Sequence, residues 1–186
     1  MYARFSTAFG TPFVEEGTGE LLGLLTGILI HPDTGKIEGF FVHAPAIFGS
    51  SELYCSTMDI LHWGSRITVR DRDVVAPAED RIRLQPLLED GRTILKQPII
   101  TEEGIKLGMC RDVQFDTKTM RLTWLFPRKW FRWRMAIPRS EIVEVRDDAI
   151  IVRDPPAAEA QPAAKADPAE ALERLQEIAD TGIAPS

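Results

Sequence analysis

Residues 22–42 read LGLLTGILIHPDTGKIEGFFV, two apolar runs on either side of a His-Pro-Asp-Thr-Gly-Lys step. Leu22, Leu24 and Leu25 begin a strand that continues through Ile28 to Ile30, and residues 37–42 form a second, with Phe40, Phe41 and Val42 too apolar to be solvated on both faces. Between the runs, Pro32, Asp33 and Gly35 supply the chemistry of a tight turn, the glycine providing positive φ where the chain reverses. The stretch is predicted to be a β-hairpin. It decides the fold because a less regular version of it begins at Leu107.

Working outward, Gly10-Thr11-Pro12 leads into a short strand at Phe13-Val14, entered through a proline that has no N–H to give a ladder. Residues 15–20 are polar with two glycines and read as a loop. On the other side, residues 44–51 (APAIFGSS) read as a loop, residues 53–58 as a weak strand and residues 59–63 as a helical turn or corner. Residues 67–69 form the last strand of this half, with Val74-Val75 continuing it after a kink. Strands this short, separated by frequent turns, point to a small barrel or sandwich and away from a βαβ protein.

The second half follows the same plan. Pro12-Phe13-Val14 matches Pro98-Ile99-Ile100, Glu16-Gly17 matches Glu103-Gly104, and Leu22-Gly23 matches Leu107-Gly108. Ile28 then meets Val113, Ile30 meets Phe115, Thr34 meets Thr119, Lys36 meets Arg121 and Ile37 meets Leu122. Residues 67–70 finally meet residues 150–153, the offset staying between 87 and 83.

Each half resembles a PRC-barrel domain: a Pro-hydrophobic strand, an acidic-glycine turn, Leu-Gly, a hairpin with a DxxTGK-like turn, and a Pro-Ser-Glu-Ile step before a last short strand. The second half carries that step as Ile137-Pro138-Arg139-Ser140-Glu141-Ile142. The first keeps the better turn, Asp33-Thr34-Gly35-Lys36, but has only Ser56-Thr57-Met58-Asp59-Ile60 in place of the proline step. The resemblance implies an all-β chain of two tandem small β-barrels used as interaction modules. The family includes the cytoplasmic part of the photosynthetic reaction-centre H subunit and the C-terminal domain of a ribosome maturation factor. The membrane helix of the one and the partner domain of the other have no match here, so neither function carries over.

The expected organisation is a first PRC-barrel-like domain at residues 1–85, a second at 86–154, an Ala/Pro-rich flexible linker at 155–166 and a short amphipathic C-terminal α-helix at 167–182. In that helix Asp167 caps, Pro168 opens the first turn, and Leu172, Leu175 and Ile178 share a docking face directed at the protein's own barrels or at a partner.

Of the 186 residues 44% are apolar, enough for a core in each domain. Cys55 and Cys110, with no CxxC spacing, give neither a disulfide framework nor a zinc cage and suit a reducing compartment. The longest apolar run, residues 21–30, is half the roughly 20 residues of a membrane-spanning helix, and the first residues lack the apolar core of a secretory signal. The expectation is a cytoplasmic protein without a transmembrane segment. Of the net charge of −6, −5 falls from Asp154 onward, which leaves room for a basic surface on the remainder.

That surface is predicted at residues 124–139, WLFPRKWFRWRMAIPR, which holds Arg128, Lys129, Arg132, Arg134 and Arg139 among aromatic rings and no acid. Arg128, Lys129, Trp130, Arg132, Trp133 and Arg134 are the candidate partner-binding residues. Arg and Trp are common anchors of protein interfaces, and the same pair neutralises phosphates and stacks on bases or sits at an anionic surface. The plain alternative is a half-buried strand, Phe131, Trp133, Met135 and Ile137 pointing inward and Trp130, Arg132, Arg134 and Ala136 outward.

No other motif assembles a site. His31, His43 and His62 have no second ligand at metal spacing, Gly49-Ser50-Ser51 lacks the strand–turn–helix context of a nucleophile, and no phosphate-binding glycine spacing occurs. The expectation is therefore no enzyme, cofactor or metal, and a protein-binding adaptor or scaffold. RNA binding or ribosome assembly through residues 128–139 is the alternative, and a small-molecule enzyme with a site between the barrels a remote third. Self-association stays open.

Overall fold

In the computed structural model, which describes residues 1–44 and 52–154, the chain starts with strand β1 (Tyr2–Arg4) and one helical turn, α1 (Phe5–Ala8). Then come β2 (Pro12–Glu15), β3 (Leu21–Ile30), β4 (Ile37–His43), β5 (Glu52–Ser56), β6 (Ile60–Trp63), β7 (Ile67–Val69) and β8 (Val75–Pro77). A connection containing short 3-10 turns and helix α2 (Gln85–Glu89) leads to β9 (Pro98–Thr101), β10 (Lys106–Asp116), β11 (Arg121–Lys129), β12 (Arg132–Trp133), β13 (Ile137–Pro138), β14 (Ile142–Val145) and β15 (Ile150–Val152). The expected loop at Gly49-Ser50-Ser51, the 155–166 linker and the 167–182 helix with Leu172, Leu175 and Ile178 lie outside the described residues.

The protein is mostly β, in two curled sheets. One has the order β6-β7-β2-β3-β4-β5-β8; the other runs β12-β11-β10-β9-β15-β14, with β1 added beside β10 and β13 beside β11. The hairpin of residues 22–42 is β3–β4, from Leu24 opposite His43 to Ile30 opposite Ile37. Leu22, Leu25, Ile30, Ile37, Phe40 and Val42 are its buried face. Its turn is closed by the His31 N–H donating to the Lys36 carbonyl at 2.8 Å, with Gly35 at φ +66°.

Positions matched in the sequence hold matching places in the two sheets. Phe13, Val14 and Glu15 pair in parallel with Ile67, Thr68 and Val69, and Ile99, Ile100 and Thr101 pair in parallel with Ile150, Ile151 and Val152. Bulges interrupt β3–β4 at Leu25/Gly27 and Leu29/Ile30 and β10–β11 at Cys110/Asp112 and Gln114/Phe115. Such bulges bend a strand and raise its twist, which curls both sheets alike. The left-handed positions also correspond: Gly10 (φ +82°) with Lys96 (+67°), Gly19 (+71°) with Gly104 (+86°), and Gly35 (+66°) with Met120 (+49°). Gly104 therefore answers to Gly19, not to the Gly17 that the sequence comparison chose.

A backbone junction joins the two hairpin turns. The Ile37 N–H donates to the Met120 carbonyl and the Leu122 N–H to the Gly35 carbonyl, each at 2.8 Å, on either side of a Lys36–Arg121 antiparallel bridge. Ile37 corresponds to Leu122 and Gly35 to Met120, so the contact is reciprocal, the relation a two-fold axis produces. Beneath it, Phe40 lies 5.8 Å from Phe115 and 5.1 Å from Trp63 between ring centroids, within a hydrophobic cluster that draws on both sheets. Met1–Arg153 consequently forms one compact unit.

Several sequence expectations change. Tyr2–Arg4, assigned to the first half, hydrogen-bonds into the second sheet, Ala3 opposite Phe115, so the partition at residue 85 is not followed by the first strand. Residues 59–63 are not a corner: a 3-10 turn at Thr57–Asp59 ends where β6 begins. Val75 does not prolong β7; a second 3-10 turn, Arg72–Val74, carries the chain across to pair β8 with β5. Local periodicity is blind to such steps because partner choice is a non-local property.

Candidate docking hairpin

Strand β11 begins inside the core, with Leu122 and Leu125 buried, and ends outside it. Beyond Pro127 the chain passes Arg128 and Lys129, reverses over Trp130 and Phe131, and returns through β12, Arg128 opposite Trp133 and Lys129 opposite Arg132. The Arg134 N–H donates to the Pro127 carbonyl at 2.9 Å, and the return continues to Ile137 opposite Leu125. The six predicted partner-binding residues are therefore brought together on one narrow hairpin.

The expected half-buried strand is not what forms. Trp130 (86% exposed), Phe131 (87%), Trp133 (52%) and Met135 (88%) are all exposed. The reason is the two-residue loop: reversal at Trp130-Phe131 breaks the continuous strand on which the alternation depended, and only Ile137 returns to pack against the core. Trp130 itself has φ +57°. The first position of a two-residue hairpin loop with positive φ ordinarily holds glycine, because a side chain there crowds the backbone. A bulky aromatic in that conformation, turned to solvent, gains nothing from the core to offset the strain.

The foot of the hairpin is held by a residue that the sequence comparison overlooked. Asp112 is 1% exposed. Its carboxylate accepts from the Arg4 Nε at 2.8 Å, the Ser6 N–H at 2.9 Å, the Ser6 hydroxyl at 2.6 Å and the Val113 N–H at 2.9 Å. The Arg4 guanidinium in turn lies 3.9 Å from the Phe126 ring centroid and 5.6 Å from that of Trp133, and Arg128 sits 5.5 Å from Trp133. The N-terminal strand thereby braces both arms. The legible signal was a carboxylate two residues from Cys110 and next to Val113, among the inward positions of a strand, where it needs partners to be buried; its partner Arg4 is 108 positions away.

The other candidates stay dispersed. His31 Nδ1 is 4.0 Å from Asp33, and among the described residues no three His, Cys, Asp or Glu side chains are placed to hold a metal ion. Cys55 and Cys110 are buried, and burial pushes each thiol up to about 12, so both are protonated at neutral pH. An open polar cleft is lined by Glu15, Glu16, His62, Arg66 and Thr68, but Glu15 is already engaged by the Thr18 hydroxyl and the Arg72 N–H. Among the described residues no helix is long and apolar enough to cross a membrane.

No curated protein matches the chain. The family model of the PRC-barrel domain matches residues 88–159, the stretch that holds β9 to β15 and the docking hairpin.

Proposed function

We propose that this chain is a non-enzymatic adaptor or scaffold, two PRC-barrel-like modules in tandem that meet a partner through the hairpin at residues 128–135. The observation that carries the reading is the exposure of Trp130, Phe131 and Met135, each above 85%, beyond a strand whose Leu122 and Leu125 are buried in the core. Exposed aromatics next to arginines are what interaction hot spots are made of, and a fold gains no stability from leaving them in water. The two-module reading draws support from the shared parallel pairings, bulges and left-handed positions of the two sheets. The adaptor reading predicts that the Trp130→Ala, Trp133→Ala double variant, used as bait in a detergent-solubilised extract of the native host, loses partners that the natural chain captures. A variant that retains every partner removes the hairpin from this role.

A further inference from the structure

We infer that the surface met by the hairpin is an anionic lipid bilayer, an inference that rests on the hairpin being the docking element. The argument is the order of side chains along its axis. Trp130 and Phe131 form the extreme tip; Lys129 and Arg132 come one residue behind, and Arg128 and Trp133 one residue further back. At a rise of about 3.3 Å per residue, the first pair of bases stands about 3 Å behind the tip and Arg128 about 7 Å. Interfacial elements bury their apolar side about 5–10 Å into the boundary of headgroups and acyl chains, so rings inserted to that depth bring the bases level with lipid phosphates.

The composition matches at each level. Tryptophan is enriched at the membrane–water interface because its ring is apolar and its N–H is not. The bases are unopposed along the chain, since no acid occurs between Asp116 and Glu141. Residues 1–153 carry −1 with the hairpin's four bases included and −5 without them, so the positive charge is concentrated at the hairpin and acts at short range. A single-stranded RNA is served less well, because stacking on bases is usually organised along a groove that tracks the backbone, whereas these rings sit on a convex two-residue end. A protein partner must supply a pocket for that end; a bilayer yields to it.

The test is sedimentation of the full chain with vesicles of phosphatidylcholine alone and of phosphatidylcholine with about 30% phosphatidylserine, a composition that carries the negative surface potential of an anionic leaflet. Binding is expected with the anionic vesicles only, with a blue shift of tryptophan emission, and weakening as salt is raised. Trp130→Ala with Phe131→Ala is expected to reduce partitioning at least tenfold, and each of Arg132→Gln and Arg134→Gln by about fivefold. Because Trp130 has φ +57°, Trp130→Gly serves as a second variant that removes the ring while relieving the loop. Unchanged circular dichroism and melting temperature in the variants assign any loss to the surface. Failure to sediment with either vesicle, binding undiminished in the tip variants, or binding of a single-stranded RNA oligonucleotide in place of vesicles overturns the inference. If vesicles fail while partner capture still depends on Trp130 and Trp133, the bilayer is wrong and the adaptor reading stands; if neither depends on the hairpin, both fall.

Discussion

The two halves of Met1–Arg153 use one hydrogen-bonding plan to different ends. In β3–β4 the position matching Asp112 is Gly27, where an added Cβ would lie 2.8 Å from the Phe41 ring. In β10–β11 the same bulge admits a buried carboxylate, which binds Arg4 and Ser6 and draws the N-terminal strand onto β10. Gly27 and Asp112 each follow the bulged residue and face Phe41 and Phe126 in the ladder, and the side chain at that position decides whether the flank is packed with a ring or with a strand. Backbone plan and surface role are thus separable. The first half holds a regular turn against its neighbour; the second pushes an aromatic hairpin into solvent.

The strongest way to break the comparison is to cut the core between the halves. Phe115 is fully buried against Phe40 and Trp63, the latter at 5.4 Å between centroids, so Phe115→Ala should cost about 3–5 kcal/mol, read in denaturant unfolding. One cooperative transition is expected for the natural chain; two transitions, with only one shifted by the variant, would show that the halves unfold separately.

Next in size is the difference at the bulge itself. Asp112→Ala leaves the Ser6 and Val113 N–H groups without their acceptor and releases Arg4, with an expected loss of about 2–3 kcal/mol. Hydrogen exchange should accelerate at Tyr2–Arg4 before it does in β3. A variant in which β1 exchanges no faster would remove the carboxylate from its role as the anchor of that strand.

A subtler comparison lies at Gly10 and Lys96, both left-handed and both donating to the facing strand, to the carbonyls of Leu25 and Cys110. No atom lies within 4 Å of a Cβ built at Gly10, so Gly10→Ala should cost about 1 kcal/mol through backbone conformation alone. Lys96→Gly is expected to be neutral or stabilising by up to about 1 kcal/mol, as the relieved strain outweighs the greater freedom of the unfolded chain. Equal losses at both positions would mean that side-chain contacts, not φ, govern them.

The smallest effect belongs to the ion pairs at the turn junction. Arg92 hydrogen-bonds to Asp33 at 2.6 Å and to Asp90 at 2.7 Å, and these bonds hold both carboxyls below their ordinary value of 3.8. A carboxyl with a depressed folded pKa contributes stability above its unfolded value, lost as pH falls through the folded one. The melting temperature of Arg92→Ala should thus trail that of the natural chain slightly at neutral pH, and the gap should close below pH 3.8. Asp33 is exposed and Arg92 and Asp90 are half-buried, so high salt should shrink the gap in part.

Much of this plan was legible in the sequence because strand pairing leaves local marks: alternating apolar residues, turn glycines and the Leu-Gly step. Gly23 and Gly108 show why that step persists, since a Cβ would come within 2.5 Å of the His43 carbonyl oxygen in one half and 2.8 Å of the Arg128 carbonyl oxygen in the other. The basic–aromatic composition of residues 128–134 also marked the candidate surface, but alternation misassigned its orientation. The signal of period two survives a tight reversal, while the core that would bury one face does not follow the chain around it.

By itself, then, the sequence marked the hairpin of residues 22–42, the positions that match between the two halves and the place where the second departs from the first. Only the tertiary structure decided that Tyr2–Arg4 crosses to the second sheet, that Asp112 is its anchor, that the two hairpin turns join reciprocally, and that Trp130 and Phe131 stand in water. The physical reason is range. Strand propensity and turn chemistry act between neighbours and are written along the chain, whereas burial of a carboxylate, the partner of an edge and the exposure of a ring depend on residues up to 108 positions away.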